Sequence, residues 1–170
     1  GRAQVGTLGW DRLTEALASL TRAFDYYGRA GDVVQAVEVA GYPLPAGVSG
    51  VVQLIGRALE LVAPNSLQAG NLLAQYGLAL SWDTSDYHGA HRPFDKAMVI
   101  ARRESDLALE LRALAGAARA DLFHLSWRKC IENGLQAIDL APRADAPYAE
   151  ADARWCTIQA LWSFGEPSAA

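Results

Sequence analysis

Ser85-Asp86-Tyr87-His88-Gly89-Ala90 returns as Leu125-Ser126-Trp127-Arg128-Lys129-Cys130, and again as Gly165-Glu166-Pro167-Ser168-Ala169-Ala170. Each version holds a break, a polar or acidic residue, a ring, and then a small residue three further on; Ala90, Cys130 and Ala170 fall 40 residues apart. A fixed interval of roughly 34 to 47 residues marks a helical repeat array, whose helix pairs cannot bury their apolar faces alone and stack on their neighbours. The expected fold is therefore all-α, with antiparallel helix pairs stacked as an α–α superhelix of period about 40.

An earlier copy, Gly31-Asp32-Val33 with Ala36 and Ala40, reads as helix, turn, helix. Gly31 can supply the left-handed residue that ends one helix, Asp32 can cap the next, and Gln35 stands where a capping-box partner belongs. Past the later turns the small anchors continue as Phe94 and Ala97, then as Gly134 and Ala137. At four and seven residues beyond Ala90 and Cys130 they share one helix face.

On these residues the chain resembles the tetratricopeptide family. The matched positions are Gly77, Ala90, Phe94 and Ala97, then Ala117, Cys130, Ala137 and Pro142, then Gly165 and Ala170. The period is longer than the usual one, the family's Trp and Tyr positions are mostly unfilled, and Ser85 and Leu125 stand where glycine is expected. Units of this length look like the superhelical arms of large bacterial regulators, such as maltose-type and LuxR-type transcriptional activators or ATPase-linked cyclases. The resemblance, which covers residues from about 10 onward, implies a non-enzymatic interaction arm in a cytoplasmic signalling protein.

Composition agrees with helices. The chain is 51% hydrophobic and 20% charged, with long Val or Ile alternations absent. Its net charge of −4 offers no basic surface for nucleic acid. Cys130 and Cys156 are too few for a disulfide framework or zinc site, and on apolar helix faces they read as reduced core thiols.

Helices are expected over about 10–29, 32–40, 48–63, 66–82, 87–103, 106–123, 127–141 and 146–164. Residues 1–40 are expected to form an amino-terminal pair and 48–170 to hold the repeats, with the Pro/Gly-rich stretch 41–47 between them a longer loop, or else a hinge. Pro64 stops one helix and Asn65 caps the next. Pro93 predicts either a bend in the helix beginning near Tyr87 or a late start to its regular part. Gly1 is not an initiator and no signal run follows it. Glu166–Ala170 open a second helix that does not continue, so a middle segment of a longer array, with its last repeat truncated, is expected.

Catalytic chemistry is sparse. His88 and His91 with Asp86 and Asp95 come within reach of a metal-ligand geometry, but Asp86 is a turn residue and the histidines read as an exposed helix start. His124 at a helix end has an ordinary explanation in the helix dipole. The chain carries no phosphate loop and no nucleophile elbow, so no enzyme activity, metal or cofactor is expected. Binding is favoured. In tetratricopeptide-like arrays the first helix of each pair lines the concave groove, and positions 40 apart there form rows: Trp82, Leu122 and Trp162; Gln75, Ala115 and Trp155; Ala79, Arg119 and Gln159; Leu72, Arg112 and Asp152. Arg112 and Arg119, seven apart, are the expected exposed pair. A protein or peptide is the expected ligand, with the tryptophans either groove or inter-repeat core. A small inducer, or a rigid spacer role, is the alternative; no membrane or nucleic-acid partner is expected.

Overall fold

The computed structural model describes residues 10–44, 47–83 and 87–165. Pro45-Ala46, Ser85-Asp86 and Glu166–Ala170, with the first and last copies of parts of the repeated phrase among them, lie outside the described residues. Among the described residues the chain is all α, without strands. Its helices are α1 (Trp10–Arg29), α2 (Val33–Ala40), α3 (Val51–Leu59), α4 (Leu67–Asp83), α5 (Tyr87–Glu104), α6 (Leu107–Phe123), α7 (Trp127–Leu140) and α8 (Pro147–Phe164), with a 3-10 turn over Ala141–Arg143.

Three of the turns are the same object. In each, a residue one or two places past the helix takes a left-handed φ: 74° at Gly31, 56° at Ser105 and 58° at Leu125. The next N–H then reaches back to a helix carbonyl, Asp32 to Tyr27, Asp106 to Ala101 and Ser126 to Asp121, at 2.8–2.9 Å. These bonds satisfy carbonyls that a helix end would otherwise orphan. Asp32 and Asp106 then cap the following helices by accepting from Gln35 N and Leu109 N. The expected capping box is incomplete, because the Gln35 amide donates to Glu38 instead of returning to Asp32.

Three further expectations are corrected. The third helix is nine residues long and does not span 48–63. Gly50 holds a φ of 99° just before it, and Leu61 N–H turns back to Ala58 O just after it. The cap of α4 is Ser66, whose Oγ accepts from Ala69 N, and Asn65 instead gives its carbonyl to Arg103. At Pro93 the helix does not start late: α5 runs through it from Tyr87, with the proline buried on the same face as Ala90, Phe94 and Ala97. Packing of that face offsets a cost of about 3 kcal/mol for an interior proline.

Each helix from α4 onward packs on the next, and α4, α6 and α8 also pack on one another in succession. The result is one layer of α4, α6 and α8, with α5 and α7 seated over the seams. Small residues permit the close approach. Ala90, Ala97, Cys130 and Ala137 are all fully buried. Phe94 fills a slot between two glycines: a Cβ at Gly77 would lie 2.8–2.9 Å from three ring atoms, and one at Gly116 would lie 2.6 Å from Cε1. A Cβ at Gly134 would collide with Thr157. The amino-terminal pair is not separate from this stack, since Leu13, Leu17, Leu20 and Phe24 of α1 share a core with Ile55 of α3 and Leu72 of α4. Tyr42 and Leu44 pack against that same core, so the stretch after α2 is held down at those points.

Candidate functional site

Two places gather polar side chains. The first is a recess of about 450 Å³ on the face of the α4–α6–α8 layer away from α5 and α7. Asn71, Gln75 and Leu78 come from α4, Arg112 and Ala115 from α6, and Tyr148 and Asp152 from α8, with Gly41 and Pro43 closing one end. Its polar groups are held in place. Gln75 Nε2 donates to Gly41 O at 2.7 Å, Arg112 donates to Asn71 Oδ1 at 2.9 Å, and Arg119 pairs with Asp152. The Arg119 guanidinium also stands 5.7 Å from the Trp155 ring, within cation–π range.

The structure thus brings together Gln75, Arg112 and Asp152 directly, and Arg119 and Trp155 through Asp152. Gln159 and Trp162 lie exposed farther along α8. Trp82 sits half-exposed at the other end of α4, its ring 4.3 Å from Phe123 of α6 in an edge-on contact. Two expectations change. Arg112 and Arg119 are not an exposed pair: both are half-buried, and their Nε atoms are fully enclosed without a hydrogen-bond acceptor. Seven-residue spacing fixed their shared face but not their depth. Leu72, the α4 member of the Arg112 row, points into the amino-terminal core.

Sequence reasoning missed the second place. Asp121 in α6 is fully buried and ties three helices together. Tyr87 of α5 donates its hydroxyl to Oδ1 at 2.6 Å, and Asn133 of α7 donates to Oδ2 at 2.7 Å. His91 Nε2 stands 3.0 Å from Oδ1, near enough for charge pairing but not aligned for a hydrogen bond. Burial, then the bond to Asp121 and its charge, push the Tyr87 phenol above the usual tyrosine range, so it stays a donor. His124 and His91 both set their rings against Tyr87, at 5.3 and 4.4 Å. A signal for this knot was present in the sequence: Asp121 is the lone acid in an alanine-rich run, near a helix C-terminus where the dipole disfavours a carboxylate.

Beside the knot, a cleft of about 510 Å³ runs between α5 and α7, lined by His88, Arg92, Asp95, Lys129 and Glu132. Its opposite charges cancel, and Asp121 is sealed beneath it, where its carboxylate braces α5, α6 and α7. Among the described residues no cluster of His, Cys, Asp or Glu has the arrangement of a metal site. Cys130 and Cys156 are free and fully buried. Burial raises both thiols to about 12, the Asp121 charge adding to the effect at Cys130 and Arg119 opposing it at Cys156.

Fold and site together define a class: a layered all-α protein with repeated small-residue seams and a mainly apolar recess set with a few paired polar side chains, among whose described helices none is long and apolar enough to cross a membrane. Compared with family models, curated proteins and solved structures, the chain matches none.

Proposed function

We propose that the chain is a tetratricopeptide-like helical-repeat segment that binds a peptide or an extended protein strand in the α4–α6–α8 recess and serves as a non-enzymatic, cytoplasmic regulatory arm. The observation that carries this reading is the convergence of residues one period apart. Arg112 and Asp152 line one hollow from successive helices, as do Gln75 and Ala115. The layered packing of α4, α6 and α8 supports a superhelical stack, in which these helices form the inner, ligand-facing wall. Preordered polar groups among apolar neighbours reduce the entropy that a ligand must lose on docking. The link to transcriptional activators or ATPase-linked cyclases rests on the sequence resemblance.

The test is to pan a displayed library of random peptides against the chain and measure the winners on Arg112→Gln and Asp152→Asn variants. Gln can still donate to Asn71, which keeps the fold and removes the charge. Loss of affinity by about tenfold, or about 1.4 kcal/mol, is expected. Peptides that bind both variants as well as the parent would refute the groove. A second reading has one observation behind it, since a recess of about 450 Å³ lies in the volume range of small-molecule sites. A metabolite that raises the melting temperature, with the rise abolished in Arg112→Gln, would replace the peptide by an inducer.

A further inference from the structure

The outer side of α8 carries a stripe of Tyr148, Ala151, Trp155, Ile158 and Trp162, spaced at three and four residues. All are exposed, Trp162 at 69%, Trp155 at 47% and Ile158 at 45%. One period earlier, Leu111, Ala115, Ala118 and Leu122 of α6 hold the places that Ala151, Trp155, Ile158 and Trp162 hold on α8. Those α6 residues are covered: Leu111, Ala115 and Ala118 are buried at 0–2%. What covers them is known. Ala137 of α7 and Ala153 of α8 close over Leu111 and Ala115, while Cys130, Cys156 and Ala160 close over Ala118. Two periods before Trp162 stands Trp82, and its ring packs on Phe123 of the next helix in the layer.

We infer that the α8 stripe is a stacking face, and that its occupant is a further helix pair of the same 40-residue kind, laid on α8 as α7 and α8 lie on α6. The chemistry of the occupant follows from the seams already formed. Each covering helix turns a row of small residues to the helix beneath it, Cys130, Gly134 and Ala137 on α7 and Ala153, Cys156 and Ala160 on α8. Trp155, Ile158 and Trp162 are bulkier than their α6 counterparts Ala115, Ala118 and Leu122, so a row of small residues is the covering face that leaves them room. A second copy does not supply it, because its small rows on α2, α5, α7 and α8 are buried within its own stack. This surface adjoins the ligand recess and shares Tyr148 with it, whereas Ile158 and Trp162 lie beyond the recess, so its role stands whether or not the recess takes a peptide.

The experiment places a thiol on the stripe. Ile158→Cys is made in the chain itself and in an extended chain, residues 1–165 followed by a second copy of 126–165, which keeps the register. A third protein is the extended chain with Ala153→Glu and Ala160→Glu in the added copy alone. Native Cys130 and Cys156 are buried and slow to react, so an aromatic disulfide reagent reads the new thiol. Labelling should be fast in the unextended chain, slower by about tenfold or more in the extended one, and fast again in the glutamate control. Circular dichroism should show the added unit contributing helix in proportion to its length. Equal labelling in all three proteins, or an added unit without helix, would overturn the inference. So would concentration-dependent protection in the unextended chain, which would seat a second copy on the stripe.

Discussion

Phe94 between Gly77 and Gly116 offers the sharpest test of how the helices pack. In an exposed helix, Gly→Ala gains about 1 kcal/mol from backbone entropy. At Gly116 the new methyl would sit 2.6 Å from ring atom Cε1, and the ring has no retreat, because the Gly77 backbone closes the other side. Overpacking costs about 1–3 kcal/mol, so Gly116→Ala should lose about 1 kcal/mol net. In a Phe94→Leu background the slot has room, and the same substitution should become neutral or gain up to about 1 kcal/mol. The coupling is thus about 1–2 kcal/mol, well beyond the additivity error of about 0.5 kcal/mol for independent sites. Urea unfolding followed by circular dichroism, with the four proteins of the cycle compared at a common m-value, measures it directly. Stabilisation by Gly116→Ala in the parent, or equal effects in both backgrounds, would refute the reasoning.

Leu125 holds a φ of 58° with its side chain largely exposed, so Leu125→Gly should relieve about 1 kcal/mol of strain and raise the melting temperature by roughly 2–4 °C, and a fall in calorimetry would count against a strained turn. Asp121→Ala strands the Tyr87 hydroxyl and the Asn133 amide, at a cost of about 3 kcal/mol; adding Tyr87→Phe and Asn133→Leu should restore part of it, because apolar replacement of both partners is nearly neutral. The two buried thiols ionise in the unfolded chain near the usual 9.0 but in the folded chain only at about 12. A raised folded value means stability is fully present below pH 9 and is lost as pH climbs toward 12. Thermal melts across that window should show a slope that flattens in a Cys130→Ala/Cys156→Ala variant, and an unchanged slope would deny the thiols that role.

Much of the fold was legible because local chemistry and period agreed. Gly31 with Asp32 marks a turn in any context, and the Ala90–Phe94–Ala97 spacing defines a buried face without further help. The third helix was overread because Leu61 and Val62 continue the apolar pattern, and Val62 packs on the core from outside the helix. Periodicity reports burial and not backbone state. The recess was partly legible, since translating by one period carries Arg112 to Asp152. At Asp121 the sequence marked the acid but not the knot: its partners lie 34 residues before it and 12 after it, and only the packing of α5 and α7 against α6 brings them together.

The shared turn after α1, α5 and α6 has a consequence for how such a chain can vary. Its shape is held by amide-to-carbonyl bonds, and one backbone form is built on Gly31, Ser105 and Leu125 alike. Side-chain identity there adjusts stability by about 1 kcal/mol without changing where the next helix points. The turns therefore act as fixed corners with interchangeable occupants. Substitutions can accumulate at them while the recess keeps its geometry, and the chemistry a ligand meets can change on α4, α6 and α8 without any change in the frame that presents it.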